Sequence, residues 1–406
     1  MPYRSSRFLI ASSAGVATLT AASAPSPLYP VYQRLWGFSS ATLTLVFAVY
    51  VFALLGALLT VGSLSDVVGR RPVATASLLL LCCGMVLFAV ADGTGGLIAA
   101  RVIQGFAVGA ATGTTTAMIT DAAPNARTGS VMSGTAAPLG IAIGAVLSGT
   151  LVEFAPHPRQ LVFWVFGAAY ALLAALVWAV PEPTHRQPPT WASVRRSVVP
   201  SVGLPRDLRP VFRSLLPSIA ATWALAGLYL SLGASVIRTV LGVRSHFTVS
   251  LVLGAFFAAG ILGSAVQTAL PAWAQRWSGY GALATGVLVT IPATALEVLP
   301  LYAAGSVIAG FGFGATFRVA VGTLADAAPA AERGRVFATM YIVSYLAFSI
   351  PALIAGLAVE VVGLRTTTVA YGAFELALIG IASASAAHGR RRTVHPTRTD
   401  HPDERT

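Results

Sequence analysis

Lysine is absent: all 26 basic residues are arginines. A GC-rich coding sequence accounts for that bias, and no mechanism follows from it. Charge of either sign is scarce, at 10% of residues, where soluble domains carry about 25%. The only cysteines, Cys82 and Cys83, are adjacent in an apolar run. That placement excludes a disulfide framework and metal-ligand spacing, and both read as packing residues. The six histidines, His157, His185, His246, His388, His395 and His401, fall in expected loops or tails. There is no phosphate-cradling G-x-x-x-x-G-K-[ST] and no His/Cys/Asp cluster with metal or triad spacing. The chain therefore reads as a non-enzyme with no cofactor and no metal. Its net charge of +12 points to membrane topology rather than to nucleic acid.

What the chain has is apolar length. Mean hydropathy is +0.76, and the apolar runs reach the roughly 20 helical residues that cross a bilayer. The runs are apolar all round rather than alternating, so helices are expected instead of barrel strands. Twelve spans are predicted, near 8–30, 40–62, 72–91, 96–120, 130–154, 161–180, 215–237, 249–270, 280–297, 300–324, 336–359 and 366–387. Residues 181–214, rich in proline and arginine, read as a solvated cytoplasmic linker. Residues 1–180 and 215–389 are expected as two six-helix bundles, and 390–406 as a polar, disordered cytoplasmic tail.

The two bundles are copies. The 30 residues from Val102 and the 30 from Val307 align without a gap, and 13 are identical. Their spacing is 205 residues in a chain of 406. Duplication in an apolar chain is the mark of a transporter. Six spans per copy, an even number, give both copies one orientation. Their axis then lies along the membrane normal, with the pathway between them. With the N-terminus inside, nineteen arginines fall on the inner side and five on the outer: Arg34, Arg159, Arg238, Arg244 and Arg365. That asymmetry sets both termini in the cytoplasm. Ala22-Ser23-Ala24 resembles a signal-peptide cleavage site, but Pro25 follows it, and losing the first span would spoil the repeat. The first span is therefore expected to stay.

The loop after helix 2 reads Gly62-Ser63-Leu64-Ser65-Asp66-Val67-Val68-Gly69-Arg70-Arg71. Gly62 clears space for a close helix. Asp66 is an acceptor suited to a helix N-terminus. Gly69 permits a tight turn, and Arg70 and Arg71 anchor the loop inside. The stretch resembles the signature loop of the major facilitator superfamily, G-x-L-[AS]-D-[RK]-x-G-R-[RK], with Val67 at the one basic position that departs. The resemblance implies the major facilitator fold: an all-α membrane protein of twelve transmembrane helices in two six-helix repeats. It also implies a conformational latch of Gly62, Asp66, Gly69, Arg70, Arg71 and Asp121. Arg70 is expected to pair with Asp121, and Asp66 to reach helix 11. The second copy, Gln267 to Arg276, has lost the glycine and the acid.

Helix 4 opens with Arg101, Gln104 and Gly105, which resembles the superfamily's R-x-x-Q-G pattern. The resemblance implies a coupling role, beside the alternative of an arginine snorkelling to an interface. The second copy carries Ser306 and Ala309 instead. In helix 5, Gly140, Gly144 and Gly149 match the antiporter pattern G-x-x-x-G-P-x-x-G-G, although Ala145 replaces its proline and Ser148 a glycine. The glycines read equally as plain helix packing. Drug:proton antiporters of this family carry an acid in helix 1, and this helix 1 has none. Glu375 alone lies mid-span, in helix 12. It is a coupling candidate with Arg318 as a partner, or else a neutral structural group, because the resemblance puts helix 12 outside its bundle. The resemblance lines the cavity with helices 1, 4, 7 and 10, hence Thr112, Thr115, Thr116, Trp223, Tyr229 and Thr316.

These features lead to a secondary transporter of the bacterial cytoplasmic membrane. It is expected to export small lipophilic or weakly polar compounds by alternating access as a monomer in the lipid bilayer, with protons and one small molecule as its partners. Nutrient uptake by symport or facilitation is the alternative, and a non-transporting receptor or scaffold a distant one.

Overall fold

The computed structural model describes residues 2–182, 190–199, 202–267, 269–329 and 332–393, and no strand occurs among them. Twelve helices are long and apolar enough to cross a membrane. They are α1 Ser5–Trp36, α2 Ser40–Val61, α3 Arg70–Val90, α4 Thr94–Ala122, α5 Ala126–Phe154, α6 Leu161–Ala179, α7 Arg206–Ser231, α8 His246–Gln267, α9 Trp273–Leu296, α10 Leu299–Ala327, α11 Arg333–Val362 and α12 Leu364–Ala387. Each predicted span has its helix. The expected tail begins later than Arg390, because the last helix runs on to Thr393. Linker residues 183–189 and 200–201 and the tail from 394 lie outside the described residues.

Local chemistry sets the breaks. The closely spaced Pro25, Pro27 and Pro30 interrupt α1 with a short 3₁₀ turn, Ser26–Leu28. Gly37 then ends α1 in the left-handed region at φ 65°, where a side chain would be strained. Ser39 caps α2 by accepting from the Thr42 amide at 3.1 Å, and Asn125 caps α5 through the Thr128 amide at 2.8 Å. Such caps satisfy amides that a helix start leaves open.

Twelve crossings put both chain ends on one face. That face also carries the loops after α2, α4, α6, α8 and α10, and it is called here the arginine-rich face. The opposite, arginine-poor face carries the loops after the odd-numbered helices.

The repeat survives in the packing. A methyl on Gly105 or Gly109 of α4 would collide with the carbonyl of Tyr50 or Leu54 on α2. Gly310 and Gly314 of α10 meet the carbonyls of Phe256 and Gly260 on α8 in the same way. Two seams join the halves, α5 on α8 and α2 on α11. Gly149 packs on Ser250 in the first, and Gly356 on Thr44 in the second.

Candidate functional site

Arg101 is fully buried, about two turns into α4, which begins at Thr94. Its Nε donates to the Tyr29 hydroxyl at 2.6 Å, Nη2 to the same oxygen, and Nη1 to Gln104 Oε1. The Ala22 carbonyl, left open where the prolines break α1, lies 3.4 Å from Nη1. Four rings surround the guanidinium: Tyr50 at 5.0 Å, Tyr29 at 5.4 Å, Phe47 at 5.6 Å and Phe88 at 5.9 Å. Each lies within the roughly 6 Å at which a ring face attracts a cation. No carboxylate pairs with Arg101 among the described residues. Hydroxyl and amide oxygens and ring faces solvate its charge instead. A snorkelling arginine would be exposed at its tip, so that alternative is corrected.

The rings continue across the molecule. Phe47 meets Phe348 of α11 at 5.1 Å, and Phe348 meets Trp223 of α7 at 5.9 Å. Trp223 is half-buried. Tyr345 at 5.3 Å, Phe317 at 5.4 Å and Phe313 at 6.3 Å complete its surroundings. Its indole N–H has no hydrogen-bond partner, nor has the side-chain amide nitrogen of Gln104. An aromatic cage thus spans both halves, with two unused donors along it.

The other expected cavity residues each make contacts of their own. The Thr112, Thr115 and Thr116 hydroxyls bond back to the carbonyls of Val108, Ala111 and Thr112 at 2.7, 2.9 and 2.8 Å. Each is therefore spent on its own helix. Thr316 faces Gly279 of α9. Tyr229 is a packing residue of the second half: it stacks on Phe256 at 4.2 Å and donates to Ser306 Oγ at 2.7 Å. In sequence, a threonine on a cavity helix looks the same whichever way it turns. The phenylalanines and tyrosines of α10 and α11 carried no polar signal that would have singled them out.

At the arginine-rich face, Arg70 Nη1 pairs with Asp121 Oδ2 and also donates to the Ala117 carbonyl at 3.1 Å. Arg71 donates through Nε to the Val180 carbonyl, and its amide donates to Glu182 Oε1. Gly69 adopts φ 126°, which admits only glycine comfortably. A methyl on Gly113 would stand 3.2 Å from the Gly62 carbonyl, so the loop entrance abuts α4. A cavity of about 520 Å³ lies beneath, lined by Arg7, Arg70, Asp121 and Glu182 among others. Asp66 does not reach α11. Its short helix, Leu64–Val68, packs instead on Trp191–Ser197 of the linker, and Ser63 Oγ donates to the Ser197 carbonyl at 2.8 Å. In the second half, Gln267 donates to the Gln275 carbonyl at 2.7 Å, an uncharged substitute for the lost loop.

Glu375 is fully buried, and neither carboxylate oxygen has a partner. Arg318 is exposed on α10, whereas α12 packs on α7, α9 and α11. The proposed Glu375–Arg318 pair therefore does not form. One turn before Glu375, the Tyr371 hydroxyl donates to the Ala224 carbonyl of α7 at 2.8 Å. Side chains four apart share a face, so Glu375 also faces α7. An uncompensated carboxylate at that depth is costly and is a functional candidate by default. In α5, Gly140 and Gly144 meet the carbonyls of Val16 and Thr20 on α1, while Gly149 meets α8. All three are positions of close approach.

The family model of the Major Facilitator Superfamily matches residues 11–350. The chain belongs to the Major Facilitator Superfamily. No curated protein matches the sequence significantly. Solved structures do match, and they share the superfamily fold at low identity. A bacterial homolog of the human lysosomal transporter Spinster, inward-facing and unoccupied, aligns with TM-score 0.74 at 15% identity, over 98% of this chain and 100% of that one. The same homolog, inward-facing and occupied, gives 0.70 and 17%, over 96% and 97%. The human organic anion transporter MFSD10 (TETRAN) gives 0.63 and 16%, over 94% and 100%. As a superfamily member, the chain is a transmembrane transporter of small molecules.

Proposed function

We propose that this transporter exports small lipophilic or weakly polar compounds by alternating access, driven by inward proton flow. The cage of Trp223, Phe313, Phe317, Tyr345 and Phe348 carries that reading. It is apolar, bridges both halves through Phe47, and offers single donors instead of charges, which suits lipophilic solutes. Residues 1–180 and 215–389 act as the two moving bodies, joined by 181–214, in one monomer. The arginine-rich face is cytoplasmic, with both termini, and the membrane is the bacterial cytoplasmic one. Glu375 is the proton-carrying group, because it is the only fully buried carboxylate among the described residues.

The test is flux in proteoliposomes under an imposed pH gradient, against a panel of lipophilic cations and neutral solutes. Gradient-driven export of cage-sized aromatic solutes is expected. Equilibration that ignores the gradient overturns the coupling and favours a facilitator.

A further inference from the structure

Two carboxylates cross between the halves at the arginine-poor face. Glu153, at the end of α5, accepts from the backbone amide of His246, the first residue of α8, at 2.7 Å. Glu360, at the end of α11, accepts from the amides of Ser40 and Ala41, the first residues of α2, at 2.7 and 3.2 Å. Each acid thus caps a helix start belonging to the opposite half. The two arrangements stand one repeat apart, since α11 copies α5 and α8 copies α2. Both cap the open amides and the positive dipole end of a helix. Ser39 and Ser245 cap these same two helices in the usual way, through the Thr42 and Thr248 amides at 3.1 and 3.2 Å; the acids take the amides before those from across the seam.

We infer that Glu153 and Glu360 are gating residues of the transport cycle, a symmetric pair of clasps that holds the arginine-poor face shut. The small residues beside them fit that role. Gly149 on Ser250 and Gly356 on Thr44 let the helices close to van der Waals contact just inside each clasp. Two weaker bonds lie between the clasps: Ser26 Oγ to the Leu230 carbonyl and Ser235 Oγ to Gln33 Oε1, both 3.4 Å. The charged neighbours of the first clasp are His246 itself, Arg238 and Arg34. Arg238 donates to the Arg244 carbonyl at 3.0 Å. Its pKa is lowered chiefly by burial and next by Arg34, while Glu153 opposes the shift. No ionised partner faces the second clasp among the described residues; Arg365 is paired with Glu297 at 3.1 Å. When the face opens, both helix starts lose these cross-seam acids together while keeping Ser39 and Ser245, which ties the two clasps into one step.

The inference rests on alternating access alone, and its readout needs no cargo. Spin labels at Leu35 and Val362, on either side of the seam, would report the opening in a background lacking Cys82 and Cys83. Labels at Leu35 and Phe154, both in the first half, are the control. Both acids are exposed, so each Glu→Ala change is expected to shift the open population about two- to fivefold, in keeping with surface helix-end charges. The double variant should shift by the product, and high salt should lower the effect of charge. Glu153→Gln and Glu360→Gln keep an acceptor and lose the charge, so they should fall between; they also serve if an alanine variant fails to fold. An unchanged Leu35–Val362 distance distribution in the double alanine or double glutamine variant overturns the inference. So does an equal change in the control pair. Failure of gradient-driven export would leave this result standing, because it tests the cargo and the coupling instead.

Discussion

At the residue scale, Arg101 and Glu375 pose opposite problems: a cation without an acid and an acid without a cation. The two are solved differently. Arg101 fills its fork of donors with one hydroxyl and one amide oxygen under four rings. A lysine ammonium has no planar fork with which to bridge Tyr29 and Gln104. Arg101→Lys is therefore expected to lower flux by about tenfold, the rate effect of about 1.4 kcal/mol, with normal membrane insertion by immunoblot. Unaltered flux would reduce Arg101 to a packing residue. Glu375 is best matched by a neutral isostere. Glu375→Gln should change thermal unfolding by under about 1.5 kcal/mol, yet abolish the dependence of flux on the pH gradient. Normal proton-coupled flux in that variant would remove Glu375 from the mechanism.

At the element scale, the mirrored glycines make a quantitative expectation. Gly105→Ala and Gly310→Ala each push a methyl into a carbonyl of the neighbouring helix. Each should destabilise by about 1–3 kcal/mol, the usual cost of overpacking. Gly281→Ala in α9 meets open space and should be neutral or stabilising by about 0.5–1 kcal/mol. Thermal unfolding in detergent compares all three, and equal shifts would deny the close approach. The spans and their number were legible because a bilayer imposes a length and an apolar composition. The Arg70–Asp121 pair was legible because both residues sit at helix ends on one face. The facing of Thr316, Tyr229 and Glu375 was not, since helices that are apolar all round give no period to orient them. The packing of the Asp66 helix on Trp191–Ser197 was not legible either, since a polar linker carries no periodic signal of what it touches.

At the scale of the whole molecule, the two halves have diverged most at the arginine-rich face. The first half holds an ion pair there and the second a glutamine network. Arg70→Asp and Asp121→Arg should each reduce flux several-fold, and the double swap should restore most of it, as paired sites do in a double-mutant cycle. Losses that merely add would show that the pair does not act as a unit.

Tyr371 and Glu375 face α7 from α12, and Trp223, next along α7 to the residue whose carbonyl Tyr371 binds, stands in the aromatic cluster. On the proposed function, the proton site and the cargo site would therefore communicate through α7 rather than by direct contact. A change at the acid would reach the indole through that rod, where Pro217 removes a rung from the hydrogen-bond ladder and makes the rod easier to bend.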